Sequence, residues 1–344
     1  MSNAEPTSQF MVDPSPEDEL ANQQIKWPRV PPAKEVIVKL RNIPGQIPLI
    51  MLHGPSLVSI LTIDTHSHTR TTGGGGNIHS FGPLQKKFHS SIWAIQSTPD
   101  TPLTSIHAQA EFYVKKMREE QPRGPYRLAA FSATAITLLE MVHIIEESGE
   151  KIIQLVFIDH FPTVFFAPPM GLDIDLSVMS RDQVRAQFVE KNYFFVCHLL
   201  RKDSGGKVVR RHKLADGLTE AWKRIPVDPF LRNFGDFLEV FLSAVYDFLE
   251  EITTRDRVRS PDMGALSRWL RQLNCPVTVF LADKGIHSCI PAHAQQEWED
   301  IGIRRGFPGA EIRVLDAGHY DILSNDVLVY ELQKNFYPQL RASL

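Results

Sequence analysis

A serine, an aspartate and a histidine each stand just past an apolar run of this 344-residue chain. They are Ser132, Asp159 and His319. A neutral serine hydroxyl is a poor nucleophile and needs a base within hydrogen-bond reach. An imidazole base in turn needs a carboxylate that fixes its tautomer and stabilises its charged form. These residue types therefore predict covalent catalysis by a serine, provided that the fold brings them together.

The stretch 126–136 is the one that could expose such a serine. An apolar strand runs into Ser132, small residues flank it, and a helical sequence follows at once. A sharp strand-to-helix turn would place the hydroxyl at the carboxyl edge of a sheet, beside backbone N–H groups that can hold an oxyanion. Little bulk fits two residues to either side, where this chain has Ala130 and Thr134. A β-branched threonine departs from the usual glycine.

Each member also has an ordinary structural interpretation. Ser132 could be a helix N-cap, Asp159 a turn former and His319 a loop residue. All three, however, follow predicted parallel strands, whose carboxyl ends face one crevice. Asp283, just past the next strand, is an alternative to Asp159 as the acid.

The elements that must position these residues alternate between strands and helices. Strand patterns occur near 35–40, 48–54, 56–63, 92–95, 126–131, 152–159, 276–283 and 310–316. This alternation predicts an α/β fold with a mostly parallel central sheet and helices on both faces. Strand patterns fade over 163–270, where aromatic-rich helices predict a lid. We therefore expect a polar, proline-containing arm at 1–33, a core formed by 34–162 and 271–344, and a helical lid subdomain at 163–270.

Composition excludes several classes of function. The formal net charge of −3 gives no reason to expect nucleic acid or an anionic membrane as partner, and no apolar run is long enough for a membrane span. Three scattered cysteines lack metal-ligand spacing, and their odd number argues against a disulfide framework. We expect a reducing, cytoplasmic compartment.

Three runs of the sequence carry a family resemblance: 101–107, 121–128 ("QPRGPYRL") and 132–141. They resemble the thioesterase domains of fatty acid and polyketide synthases, which are α/β-hydrolases with the chain order Ser, Asp, His. The similarity extends to Asp159 and His319, and covers roughly 34–162 and 271–344. It implies an α/β-hydrolase fold and favours Asp159 as the acid.

The resemblance also implies a substrate and a partner. The substrate would be an acyl chain thioesterified to the phosphopantetheine arm of an acyl carrier protein, expected within the same synthase. It would leave through an acyl-serine, with no cofactor bound by the domain itself. The sequence leaves open whether release is hydrolysis, lactonisation or carbon–carbon cyclisation, and whether the domain forms a homodimer.

The expected oxyanion hole combines the N–H of Ala133 with one from the loop after His53. The resemblance would place that second donor at Pro55, which has no N–H, so that Gly54 or Ser56 must supply it. Together with Thr134, this departure makes a catalytically impaired docking domain an alternative function.

Aromatic residues near the site and in the lid are candidates to line an acyl channel, although most should pack lid helices onto the core. These candidate substrate-binding residues are Phe131, Phe161, Phe165, Phe194, Phe237 and Phe241.

A second alternative comes from His66 and His68. A strand that ends in His-x-His resembles the first ligand pair of zinc-dependent amidohydrolase barrels. Such a barrel needs more strands than this chain offers, so a loop with two histidines and no metal site is the expectation.

Overall fold

A mixed seven-stranded sheet forms the centre of the protein in the described part of the chain. The computed structural model describes Trp27 and residues 33–53, 81–167, 179–202, 208–253 and 262–334. The strand order is β1-β3-β2-β4-β5-β6-β7. Only β1 is antiparallel to its neighbour among these pairs, and the other neighbours are parallel. The strands are β1 Ile37–Arg41, β2 Leu49–His53, β3 Ile92–Ile95, β4 Tyr126–Phe131, β5 Ile152–Ile158, β6 Val277–Lys284 and β7 Glu311–Gly318.

Helices follow most of these strands. They are α1 Gly82–Lys87, α2 Ile106–Glu120, α3 Ala135–Glu147, α4 Arg181–Lys202, α5 Val208–Trp222, α6 Pro229–Thr253, α7 Met263–Leu270, α8 Ile303–Gly306 and α9 Asp326–Gln333. The Ser105 hydroxyl caps α2 by accepting the Ala108 N–H at 3.2 Å. Helix α3 has ten buried residues because it packs directly against the sheet core.

Strand β4 shows why a central parallel strand is a continuous apolar run. All six of its residues are buried, since neighbouring strands and covering helices surround it. Its charged member, Arg127, has no exposed surface. The guanidinium donates to Gln154 Oε1 at 2.8 Å and to the carbonyls of Ile47 at 3.1 Å and Leu332 at 2.7 Å. These bonds tie α9 to the amino end of the sheet, opposite the edge that carries Ser132.

The prediction of a mostly parallel sheet with helices is confirmed, and seven of the predicted strands occur at the expected places. The strand predicted at 56–63 lies outside the described residues, as does all of the arm 1–33 except Trp27 and Ala33. Trp27 stacks on Phe230 of α6 with 5.8 Å between ring centroids.

We call residues 163–270 the insertion. Its described residues form the helices α4 to α7 and the rest of a 3₁₀ turn that starts at Pro162. These described residues form no strand. Helices α4, α5 and α6 pack against one another, and α6 also packs against α2 and α7. The division into core and lid subdomain stays a prediction.

Candidate active site

Ser132 lies on a strained turn between β4 and α3. Its φ is +59°, in the left-handed region that non-glycine residues seldom adopt. A 3₁₀ turn over Ser132–Thr134 leads directly into α3. Such a backbone costs on the order of 1–3 kcal/mol and persists where the surroundings enforce it. The turn lifts a partly exposed hydroxyl from the carboxyl edge of the sheet.

Thr134 fits this turn through its hydroxyl group. The side chain is buried, and Oγ1 donates to the Phe131 carbonyl at 2.8 Å with a second, longer contact of 3.3 Å to the Leu52 carbonyl. The threonine therefore links the elbow to the ends of β4 and β2. Ala130, on the other side of the serine, is fully buried. A β-branched residue is tolerated here because its polar atom satisfies strand-end carbonyls.

The structure brings Ser132, His319 and Asp159 together in one hydrogen-bonded series. His319 Nε2 lies 3.1 Å from Ser132 Oγ, and His319 Nδ1 lies 2.6 Å from Asp159 Oδ2. The imidazole is 2% exposed and the carboxylate is fully buried. With Nδ1 donating to the carboxylate, Nε2 is free to accept the serine proton, which is the tautomer a general base requires.

Backbone amides hold Asp159 in place. Its φ is +48°, and its N–H donates to the Phe280 carbonyl at 2.6 Å. Oδ1 accepts the Ala282 N–H at 2.9 Å, and Oδ2 accepts the Ile286 N–H at 3.2 Å as well as the imidazole. Two backbone amide donors therefore hold the carboxylate in place.

Gly285 gives the carboxylate its space. A Cβ at this position would lie 2.8 Å from both Asp159 Cγ and Ala282 Cβ, well inside ordinary carbon–carbon contact. Gly285 and the two amide donors were not predicted from the sequence. The signal that could have found the glycine is its position directly after β6, at the edge where the three candidate residues meet.

Aromatic rings fix the imidazole on two sides. Phe131, at the end of β4, stacks on His319 with 4.9 Å between ring centroids and 27° between planes. Tyr320 meets it edge-on, also at 4.9 Å, with 83° between planes. Phe131, predicted to bind substrate, thus contacts the candidate base directly.

A second histidine, His160, lies buried beside the acid. Burial, together with the nearby His319, lowers the pKa of His160 to about 3. Its Nδ1 is buried and has no hydrogen-bond partner among the described residues. His160 is therefore a neutral imidazole at any ordinary pH, packed 5.1 Å from the Phe165 ring centroid.

The remaining predicted aromatic residues lie in well-packed surroundings. Phe161 packs edge-on against Phe157 at 5.3 Å, and Phe165 contacts Phe188 at 5.8 Å. In the insertion, the partly exposed Phe194 lies 5.8 Å from Trp222, and Phe237 stacks on Phe241 at 6.4 Å. Their role in substrate binding stays a prediction.

Asp283, the alternative acid, is exposed and accepts the Ala317 N–H at 3.0 Å, so its carboxylate fixes the end of β7. Ala133 directly follows Ser132 in the 3₁₀ turn, and its part in an oxyanion hole stays a prediction. The other predicted oxyanion residues, Gly54 and Ser56, lie outside the described residues together with Pro55.

The two histidines of the metal alternative, His66 and His68, also lie outside the part of the chain that the structure describes. Within that part, no group of three or more His, Cys, Asp or Glu residues is arranged to hold a metal ion. No helix there is both long and apolar enough to cross a bilayer.

The fold and this geometry define a class of protein. A mostly parallel sheet, a nucleophile elbow after a central strand, and Ser132, Asp159 and His319 in this chain order at three strand ends are the features of an α/β-hydrolase. The predicted α/β-hydrolase fold is confirmed.

Comparison with known proteins shows what this chain is similar to. A family model described as thioesterase domain matches residues 72–188. A highly reducing polyketide synthase, stpks1 of Strobilurus tenacellus, is 28% identical over 319 residues, covering 88% of this chain and 10% of the synthase. The polyketide synthase PksR of Bacillus subtilis is 26% identical over 91 residues, 25% of this chain and 4% of that protein. The chain thus spans about a tenth or less of the length of these relatives.

Solved structures give weaker likenesses. The type II thioesterase YbtT of the yersiniabactin pathway has a TM-score of 0.46 and 12% identity, over 88% of this chain and 98% of that one. The NocB thioesterase domain has a TM-score of 0.44 and 14% identity, over 84% of this chain and 94% of that domain. Residues 72–188 thus match the thioesterase domain family, and the chain is similar in sequence to parts of polyketide synthases.

Proposed function

We propose that this domain releases an acyl or polyketide chain from the phosphopantetheine thioester of an acyl carrier protein, through an acyl-serine intermediate. The observation that carries the proposal is the series Ser132 Oγ, His319 and Asp159, with distances of 3.1 and 2.6 Å at a nucleophile elbow. Serine, imidazole and carboxylate in this contact are the parts that acyl transfer needs.

In the first half-reaction, His319 Nε2 takes the Ser132 proton as Oγ bonds to the thioester carbonyl carbon. The carbonyl electrons move to oxygen, where the Ala133 N–H and a donor from the loop after His53, Gly54 or Ser56, would stabilise the charge. The intermediate collapses with cleavage of the carbon–sulfur bond. The imidazolium gives its proton to the pantetheine thiolate, which leaves as the thiol.

In the second half-reaction, His319 takes a proton from water or from a hydroxyl of the chain itself. The resulting attack on the acyl-serine releases an acid or a lactone, and the proton returns to Ser132 Oγ. Asp159, held by two amides, stabilises the imidazolium in both halves. The cycle uses the side chains of this domain and the pantetheine thiol that delivers the substrate.

The substrate and partner follow from the family and from the relative in Strobilurus tenacellus, a polyketide synthase ten times longer than the match. We expect the carrier protein to belong to the same synthase and to present the chain in the cytoplasm. Aromatic residues of the insertion, among them the half-buried Phe237 and the buried Phe241, suit an apolar chain.

Thiol release from a series of acyl-N-acetylcysteamine thioesters tests this proposal, with each product identified by mass spectrometry. The wild-type domain should release thiol with a preference for chain length, while Ser132→Ala, His319→Gln and Asp159→Asn should each lose at least about 10³-fold in kcat. Equal rates for the wild type and Ser132→Ala would overturn the mechanism and favour a docking domain without catalysis. The ratio of free acid to cyclised product would show which acceptor attacks the acyl-serine.

A further inference from the structure

The insertion contacts the loop that carries the candidate base. Arg211 of α5 is 4% exposed, and its guanidinium carbon lies 5.0 Å from the centre of the Tyr320 ring. Its Nη2 lies 3.6 Å from Asp321 Oδ1. We propose that Arg211 is a positioning residue, which holds the turn 318–321 so that His319 stays aligned with Ser132. The inference rests on the function proposed above.

His319 is the second residue of that turn, which the Asp321 N–H closes by donating to the Gly318 carbonyl at 3.2 Å. Arg211 contacts the third and fourth residues, Tyr320 and Asp321. The Tyr320 ring, beneath the guanidinium, is the ring that meets the imidazole edge-on. One arginine of the insertion therefore acts on the base through a single intervening side chain.

The two rings that pack against the imidazole, Phe131 and Tyr320, come from different parts of the fold. Phe131 stacks on the imidazole from the end of β4 and is buried. Tyr320 supports the other side from a loop, where Arg211 is the buried cation that contacts it. Removing Arg211 should therefore loosen one side of the base and leave the other side and the Asp159 bond in place.

The chemistry of arginine suits this task. Its planar guanidinium can stack on an aromatic ring and pair with a carboxylate at the same time, which the ammonium of lysine does not do as well. A cation–π contact that is shielded from water is stronger than one at an exposed site. Since burial of a charge is costly, such contacts are needed to keep Arg211 in place.

A second contact links the insertion to the acid. Lys202, at the end of α4, donates to the Ser288 carbonyl in the 3₁₀ turn Ile286–Cys289. The first amide of that turn, from Ile286, donates to Asp159. Lys202 is exposed, so this contact contributes little by itself. The insertion nevertheless contacts both loops on which the alignment of the three residues depends.

The test measures how fast a fluorophosphonate labels Ser132, together with kcat and KM for an acyl-N-acetylcysteamine thioester. Arg211→Gln should lower kcat and the labelling rate by about 10-fold or more, with KM within about 2-fold, because a misaligned base slows bond formation. Arg211→Lys should recover part of the rate. Arg224→Gln is the matched control, since Arg224 follows the same helix but pairs with Asp236 and Glu239 at the surface.

A double-mutant cycle with Tyr320→Leu decides whether Arg211 acts through the ring. If it does, Tyr320→Leu should lower kcat and the labelling rate as much as Arg211→Gln does, and the double variant should be little slower than either single variant. The inference would be overturned if the two single losses of rate multiply in the double variant, or if Arg211→Gln is labelled as fast as the wild type. The proposed function would stand in either case. A wild type that is not labelled at Ser132 would overturn both. Should Arg211→Gln fail to fold, Arg211→Lys in the same cycle gives the same decision.

Discussion

Gly285 offers a direct test of how the acid is held, without changing any residue of the catalytic series. A Cβ added there would lie 2.8 Å from Asp159 Cγ and 2.8 Å from Ala282 Cβ. Ordinary carbon–carbon contact is about 3.5–4.0 Å, so the carboxylate must move by about 1 Å. The φ of −90° is not the left-handed conformation that favours glycine, and the loss of space beside Asp159 is the effect that these contacts predict.

A displacement of this size must lengthen either the 2.6 Å bond to His319 or the 3.2 Å bond from the Ile286 N–H. Misplacement of a catalytic group by about 1 Å can cost about 10²-fold in rate. Overpacking a buried site typically costs about 1–3 kcal/mol of stability. We expect Gly285→Ala to lose about 10²-fold in kcat while KM stays within about 3-fold, and to melt at a lower temperature.

The assay is steady-state thiol release, with the melting temperature measured on the same samples. Gly309→Ala is the matched control, since a Cβ there would lie 4.0 Å from Phe307 Cε1, an ordinary contact. That control should keep wild-type kcat. A Gly285→Ala variant with kcat within about 3-fold of the wild type would refute the idea that tight placement of Asp159 limits the reaction.

Three further changes test the elbow, the sheet and the buried histidine. Thr134→Val removes the hydroxyl bonds to strand-end carbonyls and should cost about 1 kcal/mol of unfolding free energy in urea titrations, whereas Thr134→Ser should retain it. Arg127→Met removes three buried hydrogen bonds donated by the guanidinium and should cost about 3 kcal/mol by the same measurement. The pKa of His160 is about 3 in the folded state, which is below its unfolded value. As the pH is lowered, the unfolded chain therefore binds this proton first, and the free energy of unfolding decreases below about pH 6.5. His160→Gln should remove about 2 kcal/mol of the stability loss between pH 7 and 5, as measured by urea titrations at the two pH values.

The local parts of the site could be predicted from sequence because each has a short-range cause. A central parallel strand must be apolar along its whole length, and a serine followed at once by a helix marks the turn after β4. Chain order and strand ends then placed Ser132, Asp159 and His319 at one edge. The 3.1 and 2.6 Å distances agree with that expectation.

Contacts between distant segments were beyond the sequence. The family resemblance favoured Asp159 over Asp283, but the residues alone left both open. In the structure Asp283 lies within β6 and binds the Ala317 N–H, whereas Asp159 contacts His319. The space that Gly285 leaves for a carboxylate 126 positions earlier has no local signature. The same holds for Arg211, whose partners lie in a turn over 100 residues further along the chain.

The central claim is that Ser132 carries the acyl chain during release. Intact-mass spectrometry of rapidly quenched samples, with a slowly hydrolysed acyl-N-acetylcysteamine thioester as substrate, measures this directly. The account predicts a mass increase equal to the acyl group on the wild-type chain, located at Ser132 by peptide mapping and absent from Ser132→Ala. Thiol release without any such adduct, or an adduct that persists in Ser132→Ala, would contradict it.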